Sequence, residues 1–158
     1  MSVVLYRVDE RLIHGQVVIG WGHELRPDRY VVVDDEIAGS AWEQELYALG
    51  APEADAVFAT VEDGRAHLDE WRTDPVRTVV LTRTIGSMRA LLDGLGHGHV
   101  VNLGGLHAGP DRTHVLDYLH LTARDREHLG ALAEQGVEVY ARDLPEAPSV
   151  DLDTVLSA

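Results

Sequence analysis

Short apolar segments alternate with helix patterns along the whole chain, and this alternation limits the folds that the sequence can adopt. The apolar segments have few polar positions on either face, which indicates strands of a sheet that is covered on both sides. Six such segments occur, at residues 2–8, 30–34, 56–59, 76–81, 100–103 and 137–141. Strands that alternate with helices in this way are typical of βαβ units and a parallel sheet.

Helix patterns lie between these strands and carry recognisable start signals. They cover residues 15–25, 40–49, 60–71, 85–92, 122–134 and, at the end of the chain, 149–156. Ser40 and Thr122 each stand three residues before an acidic residue, which is the spacing of a capping box. The stripes on these helices predict core positions for Trp21, Trp42 and Trp71.

The predicted fold class is therefore α/β, with a single open, mainly parallel sheet of about six or seven strands and helices on both faces. The length of 158 residues suits one domain, and no linker or repeat divides it. We expect residues 1–158 to form that single domain.

The composition excludes several classes of function. The chain has no cysteine and no lysine, which rules out disulfides, cysteine-ligated metals, a Walker-type phosphate loop and Schiff-base chemistry. Its net charge of −14 disfavours nucleic acid and anionic lipid as partners. No apolar run approaches the about 18 residues of a membrane helix, and no signal pattern precedes the first strand. We expect a cytoplasmic protein with no direct membrane insertion.

In an open parallel sheet, ligands bind beyond the carboxyl ends of the strands, where the strand order reverses. The residues that follow the strands are therefore the candidate site residues. They are Asp9, Glu10, Arg11, His14 and Gly15 after the first strand, Asp34, Asp35 and Glu36 after the second, Thr82, Arg83 and Thr84 after the fourth, and Gly104, Gly105 and His107 after the fifth.

The segment after the first strand favours a phosphohistidine site over a metal site. A neutral imidazole such as that of His14 can act as a nucleophile. The planar fork of Arg11 suits phosphate oxygens, and Asp9 could orient either side chain. Gly15 and Gln16 begin a helix, whose free N–H groups can bind an anion.

The other residues at these strand ends allow more than one interpretation. Asp34 and Asp35 could be a solvated loop, bind a metal, or arrange Arg11. Gly104 and Gly105 could form only a tight turn, or shape a phosphate pocket or a docking surface. Arg83 and Thr84 could contact a phosphoryl group.

A metal-dependent enzyme is the main alternative from a different class, because His97, His99, His107 and His114 crowd one region. However, His97 precedes the fifth strand and His107 follows it. A strand of about five residues separates them by more than about 15 Å, so they cannot share one ion within a subunit. We expect no metal.

Several segments resemble the IIB components of the mannose/fructose/sorbose class of the bacterial sugar phosphotransferase system. YRVDERLIHGQV (residues 6–17) resembles the active-site segment of that family, VRxDxRLIHGQV. VVVDDEIA (31–38), VNLGGLHAG (101–109), LAEQGVEVYARDLP (132–145) and SVDLDTVL (149–156) are similar to further family segments in the same order. The resemblance covers essentially the whole chain.

The resemblance implies a phosphotransferase that needs no cofactor. The IIB domain of that family takes a phosphoryl group from a histidine of the IIA component onto its own histidine, at Nδ1. It then passes the group to a sugar that enters through the IIC and IID membrane subunits. The family histidine falls on His14, its arginine on Arg11 and its aspartate on Asp9.

Two points stay open at this stage. The chain has Asp9-Glu10 where the family often has two aspartates, and it lacks the lysines of its relatives, which leaves the IIA surface that it recognises undetermined. The same site would also serve a phosphorylation-dependent regulatory module without a transport role.

Overall fold

The computed structural model of the chain describes residues 2–95 and 98–158. The strands are β1 (Val3–Val8), β2 (Arg29–Val33), β3 (Asp55–Ala59), β4 (Thr78–Thr82), β5 (Val100–Leu103), β6 (Thr113–Leu116), β7 (Leu119–Leu121), β8 (Glu138–Ala141) and β9 (Val150–Asp151). A π-helix (Gln16–Trp21) continues directly into α1 (Gly22–Leu25), and a 3-10 turn (Ile37–Gly39) precedes α2 (Ala41–Leu49). The other helices are α3 (Val61–Thr73), α4 (Ile85–Leu92), α5 (Ala123–Glu134) and α6 (Leu152–Ser157).

Seven of the strands form one sheet in the order β3-β2-β4-β1-β5-β8-β9. All of its pairs are parallel except β8 with β9, which is antiparallel. One core packs Leu68, Met88 and Leu129 of α3, α4 and α5 against the sheet. A second core contains Val17 and Trp21 of the π-helix. The open, mainly parallel sheet with helices on both faces is therefore confirmed.

The sheet reverses its strand order at β1, which lies between β4 and β5. From β1 the chain first builds the half that contains β2, β3 and β4, and then crosses to the half that begins with β5. Such a reversal leaves a crevice at the carboxyl end of the central strand. The segment that begins at Asp9 leaves β1 at this point.

The structure differs from the sequence prediction in three elements. The helix predicted at 15–25 begins as a π-helix, and the segment 149–156 starts with the short strand β9. The antiparallel hairpin of β6 and β7 was not predicted, although its residues Val115, Leu119 and Leu121 are buried in the first core.

The prediction of a core position is wrong for Trp42, whereas Trp21 and Trp71 are buried. Trp42 is 69% exposed, and Leu46 and Leu49 on the same stripe of α2 are exposed as well. Residues of the opposite face of α2 hold the helix against the protein instead. Among them, Gln44 donates to two carbonyl groups of the preceding 3-10 turn, at 2.9 and 3.1 Å.

The predicted capping box at Thr122 is present, with reciprocal hydrogen bonds to Asp125. Ser40 also stands at the N-cap of its helix, but it makes no capping hydrogen bond with its side chain. No helix in the described residues has both the length and the apolar character needed to cross a bilayer.

Candidate functional site: the loop after the first strand

The loop after β1 is fastened to both neighbouring strands. The backbone N–H of Asp9 donates to the carbonyl of Thr82 at the end of β4, at 3.0 Å. The N–H of Glu10 donates to the carbonyl of Gly105 beyond β5, at 2.9 Å. The N–H of Leu12 then donates back to the carbonyl of Asp9 at 2.9 Å and closes a tight turn. The sequence prediction that these strand ends meet is thereby confirmed for β1, β4 and β5.

Leu12 adopts a strained backbone conformation two residues before His14. Its φ of 55° lies in the left-handed region, although its side chain is fully buried. A non-glycine residue in this region costs on the order of 1–3 kcal/mol and persists only where the surrounding structure enforces it. Burial of Leu12 thus fixes the direction in which the loop carries His14.

Asp9 is a buried carboxylate at the centre of this loop, with no exposed side-chain surface. Its Oδ2 accepts from the Arg7 guanidinium at 3.0 Å, and its Oδ1 accepts from the backbone N–H of Arg11 at 3.0 Å. Burial alone would raise the pKa of Asp9, but the hydrogen bond with His14 and the positive charge of Arg7 outweigh burial and lower the pKa well below its usual range. Asp9 is therefore ionised at neutral pH and acts only as an acceptor.

The Nε2 atom of His14 lies 3.2 Å from Oδ2 of Asp9. Since an ionised carboxylate only accepts hydrogen bonds, Nε2 must carry the proton of the neutral ring. Nδ1 then keeps its lone pair and is able to act as a nucleophile. The side chain of His14 is 17% exposed, so the ring is partly accessible from solvent.

Arg11 lies beside this pair, as the sequence predicted. Its guanidinium contacts Oδ1 and Oδ2 of Asp9 at 3.3 and 3.4 Å, and it donates to Oε1 of Gln16 at 2.9 Å. The side chain is 33% exposed. A Cβ added at Gly15 would meet nothing within 4 Å, which shows that the start of the π-helix faces open space.

Arg7 is the functional candidate that sequence reasoning missed. It is completely buried on β1 and donates to the side chain of Asn102, and to the carbonyls of Arg142 and Asp143 at 3.0 Å each. Its guanidinium carbon also lies 5.5 Å from the centre of the Trp21 ring. The sequence feature that could have indicated a role for Arg7 is its charge inside an apolar strand, two positions before Asp9.

The two glycines after β5 accommodate the two arginines. A Cβ at Gly104 would lie 2.2 Å from the guanidinium of Arg7, and one at Gly105 would lie 2.9 Å from that of Arg11. Neither glycine has a positive φ. Their role in the structure is therefore close approach to Arg7 and Arg11, and not only a tight turn.

A second group of contacts ties the loop after β5 to the loop after β1. Glu10 accepts from the backbone N–H of His107 at 2.6 Å, from the imidazole of His107, and from Arg112 at 2.9 Å. Burial would raise the pKa of Glu10, but these hydrogen bonds outweigh it and lower the pKa. Sequence reasoning had placed Glu10 and His107 at the same edge without pairing them.

Asp34, Asp35, Arg83 and Thr84 form a separate cluster over β2 and β4. Arg83 makes a bidentate ion pair with Asp34, at 3.0 and 3.1 Å. Asp35 accepts from the first N–H of α3, and Thr84 caps α4. Within the part of the chain that the structure describes, no hydrogen bond or ion pair joins this cluster to His14.

The histidines considered for a metal site are dispersed. His99 is buried directly before β5, His107 lies beyond the other end of that strand, and His114 lies on β6. His97 is outside the described residues. Over residues 2–95 and 98–158, no group of three or more potential ligands is arranged to hold a metal ion.

Comparison with known proteins assigns the chain to a family. The family model described as PTS system sorbose subfamily IIB component matches residues 3–158, so the chain belongs to this family of the sugar phosphotransferase system. IIB components of this system are phosphotransferases of sugar uptake. The assignment agrees with the resemblance seen in the sequence.

Individual relatives match over nearly the full chain. The fructose-specific EIIB component of Bacillus subtilis is 28% identical, over 99% of this chain and 96% of its own length. The mannose-specific EIIAB component of Escherichia coli is also 28% identical, but the match spans 49% of that longer protein. The crystal structure of the N-acetylgalactosamine-specific IIB component 1 of Escherichia coli has a TM-score of 0.87 at 25% identity, over 95% of this chain and 99% of that one.

Proposed function

We propose that this chain accepts a phosphoryl group from a histidine of a IIA component onto Nδ1 of His14. It then transfers the group to a sugar during uptake through IIC and IID membrane subunits, from a cytoplasmic position at that transporter. The observation that carries the proposal is the 3.2 Å contact between Asp9 and Nε2 of His14, which leaves Nδ1 with the lone pair.

The transfer needs no cofactor, because the ring nitrogen supplies the electron pair. The lone pair of Nδ1 attacks phosphorus, and the N–P bond of the donor histidine breaks with its electrons returning to the donor ring. The His14 ring becomes positively charged as the new N–P bond forms. The carboxylate of Asp9, on the Nε2 side, stabilises that charge.

Arg11 supplies the positive charge that faces the incoming group. Phosphoryl transfer depends mainly on positioning and on stabilising the equatorial oxygens. The guanidinium of Arg11 is partly exposed, and its longest contact, to Asp9, is 3.4 Å. It can exchange these contacts and its 2.9 Å hydrogen bond with Gln16 for phosphoryl oxygens, and the N–H groups of Gly15 and Gln16 at the start of the π-helix can add further donors.

The partner assignments rest on the family and on one relative. The name of the mannose-specific relative combines IIA and IIB, which supports a IIA component as the phosphoryl donor. The remaining predicted residues are assigned to partner recognition or to support of the site. They are Asp34, Asp35, Arg83 and Thr84 in the cluster over β2 and β4, and Gly104 and Gly105 beneath the arginines.

The test is a phosphorylation assay on the purified protein. It is mixed with phosphoenolpyruvate, enzyme I, the phosphocarrier protein and a matching IIA, and its intact mass is measured. One acid-labile phosphoryl group is expected on the parent and none on His14→Ala. His107→Ala is the matched control, because His107 is an exposed histidine at the same edge, and this variant should still be phosphorylated.

Two results would overturn parts of the proposal. An unphosphorylated parent beside a phosphorylated IIA would refute His14 as a carrier for that donor. A phosphorylated parent that cannot pass the group to a sugar, with membranes that contain IIC and IID, would favour the regulatory module.

A further inference from the structure

We infer that Arg7 is a positioning residue that holds the Asp9 carboxylate, and through it the His14 ring, in the arrangement that accepts a phosphoryl group. The inference rests on the proposed function, but it concerns a residue that has no contact with the phosphoryl group. Arg7 has no exposed surface and can act only through its neighbours.

The contacts of Arg7 fix its guanidinium from three segments of the chain. It donates to Asp9 after β1, to Asn102 on β5, and to two carbonyls after β8. The ring of Trp21 covers it, and the indole N–H donates to the carbonyl of Asp143 at 2.8 Å. A guanidinium held from these directions cannot follow a movement of Asp9, so it confines Asp9 instead.

Stability alone does not explain this arrangement. A buried ion pair is often no more stable than apolar residues of the same volume, because desolvation offsets the attraction. The Nε atom of Arg7 is also buried without a hydrogen-bond partner, a further cost. What the buried Arg7 provides is a fixed position for Asp9, because Oδ2 of Asp9 lies 3.0 Å from Arg7 and 3.2 Å from Nε2 of His14.

The two arginines on Asp9 therefore have different tasks. Arg7 is buried and donates to Asp9 at 3.0 Å, whereas the guanidinium of Arg11 is one-third exposed and reaches Asp9 at 3.3 and 3.4 Å. When a phosphoryl group draws Arg11 away, Arg7 keeps Asp9 neutralised and in place. The His14 ring then keeps its proton on Nε2 throughout the transfer.

The test compares Arg7→Gln with Arg11→Gln and with Arg29→Gln. Arg29 forms a similar, partly buried ion pair with Asp74 at the start of β2, at the other end of the sheet, so it controls for loss of such a pair. For each protein, ¹⁵N NMR gives the tautomer of His14. Quenched-flow assays at several IIA concentrations give the transfer rate and the apparent KM for IIA.

For Arg7→Gln we expect a mixture of His14 tautomers and transfer slowed about 100-fold, a loss that a displacement of about 1 Å can cause. The KM for IIA should not change, because Arg7 is not on the surface. Arg11→Gln should slow transfer but keep the Nε2–H tautomer. Arg29→Gln should match the parent in both measurements.

If Arg7→Gln does not fold, Arg7→Lys provides the same comparison, because it keeps the charge beside Asp9 but loses the fork. Its tautomer should match the parent, and its transfer should be slower. A folded Arg7→Gln, or failing that Arg7→Lys, with the parent's tautomer and rate would overturn the inference and leave the proposed function intact. A parent that is not phosphorylated would refute the proposed function itself.

Discussion

The substitution Gly104→Ala would test how closely the backbone after β5 approaches Arg7. An ideal Cβ at this position would lie 2.2 Å from Nη2 and 2.3 Å from Cζ of Arg7. Contacts this short do not occur, so either the guanidinium or the backbone must move. The guanidinium cannot move freely, because Asn102 and two carbonyls beyond β8 hold it in a fully buried position.

The expected loss of stability follows from two effects. Overfilling a packed interior typically costs about 1–3 kcal/mol. Separating one partner from a buried ion pair costs about 3–5 kcal/mol, and here the pair of Arg7 and Asp9 is displaced but not removed. We expect a loss of about 3 kcal/mol, where the two ranges meet, which lowers Tm by about 6–12 °C for a chain of this size.

Urea unfolding gives the stability, and the phosphorylation assay gives the effect on transfer. Gly130→Ala is the control, since Gly130 lies within α5 and an added Cβ meets nothing within 4 Å. That variant should be more stable than the parent by about 0.5–1 kcal/mol, because alanine favours a helix. If Gly104→Ala unfolds at the parent's midpoint and accepts phosphate at the parent's rate, the packing of Arg7 against Gly104 has no such role.

Two further predictions concern Tyr6 and Arg11. The buried hydroxyl of Tyr6 has no hydrogen-bond partner, and burial raises the pKa of Tyr6 to about 12. The pKa of tyrosine in the unfolded chain is about 10, so below that pH the neutral Tyr6 hydroxyl makes its full contribution to the free energy of unfolding. This contribution is lost as the pH rises from about 10 toward 12, by about 1.4 kcal/mol per pH unit. Tyr6→Phe should lose less stability than the parent between pH 8 and pH 11 in urea unfolding, and an equal loss in both proteins would contradict this. Arg11→Lys keeps the charge but loses the fork, so transfer should slow about tenfold, equivalent to one charge-assisted hydrogen bond; a rate equal to the parent's in quenched flow would refute the role of Arg11.

The sheet could be predicted because its central strands β1, β2 and β4 are buried on both faces, which removes polar positions from the local sequence. Other features depend on contacts that local patterns do not contain. The hairpin of β6 and β7 is held by backbone hydrogen bonds between Leu106 and the residues Tyr118 and His120. The stripe that contains Trp42 shows which residues share a helix face, but not which face turns toward the sheet. In α2 the inward face is held by Gln44 instead.

The residues of the candidate site also differ in how far they could be predicted, because some make contacts that are local in the sequence and others make distant ones. Asp9, Arg11 and His14 lie within six residues of one another, so one turn after a strand brings them together. Arg7 lies on that strand, but its partners Asn102 and Arg142 are 95 and 135 positions away. The apolar residues on both sides of Arg7 indicate a covered strand, but only the paired strands show which groups neutralise its charge.

Under the proposed function, the charges around His14 also determine how firmly a phosphoryl group is held. With the ring neutral, the charges of Arg7 and Arg11 balance those of Asp9 and of Asp143, whose carboxylate lies 3.9 Å from Arg7. A phosphoryl group brings about −2 and leaves the ring positive, so the loaded site has a net charge of about −1. The neighbouring Glu10 does not alter this balance, because Arg112 already pairs with it. A carrier must not stabilise its loaded state more than the transition state of the next transfer. An additional positive charge beside His14 would therefore speed loading and slow delivery to the sugar.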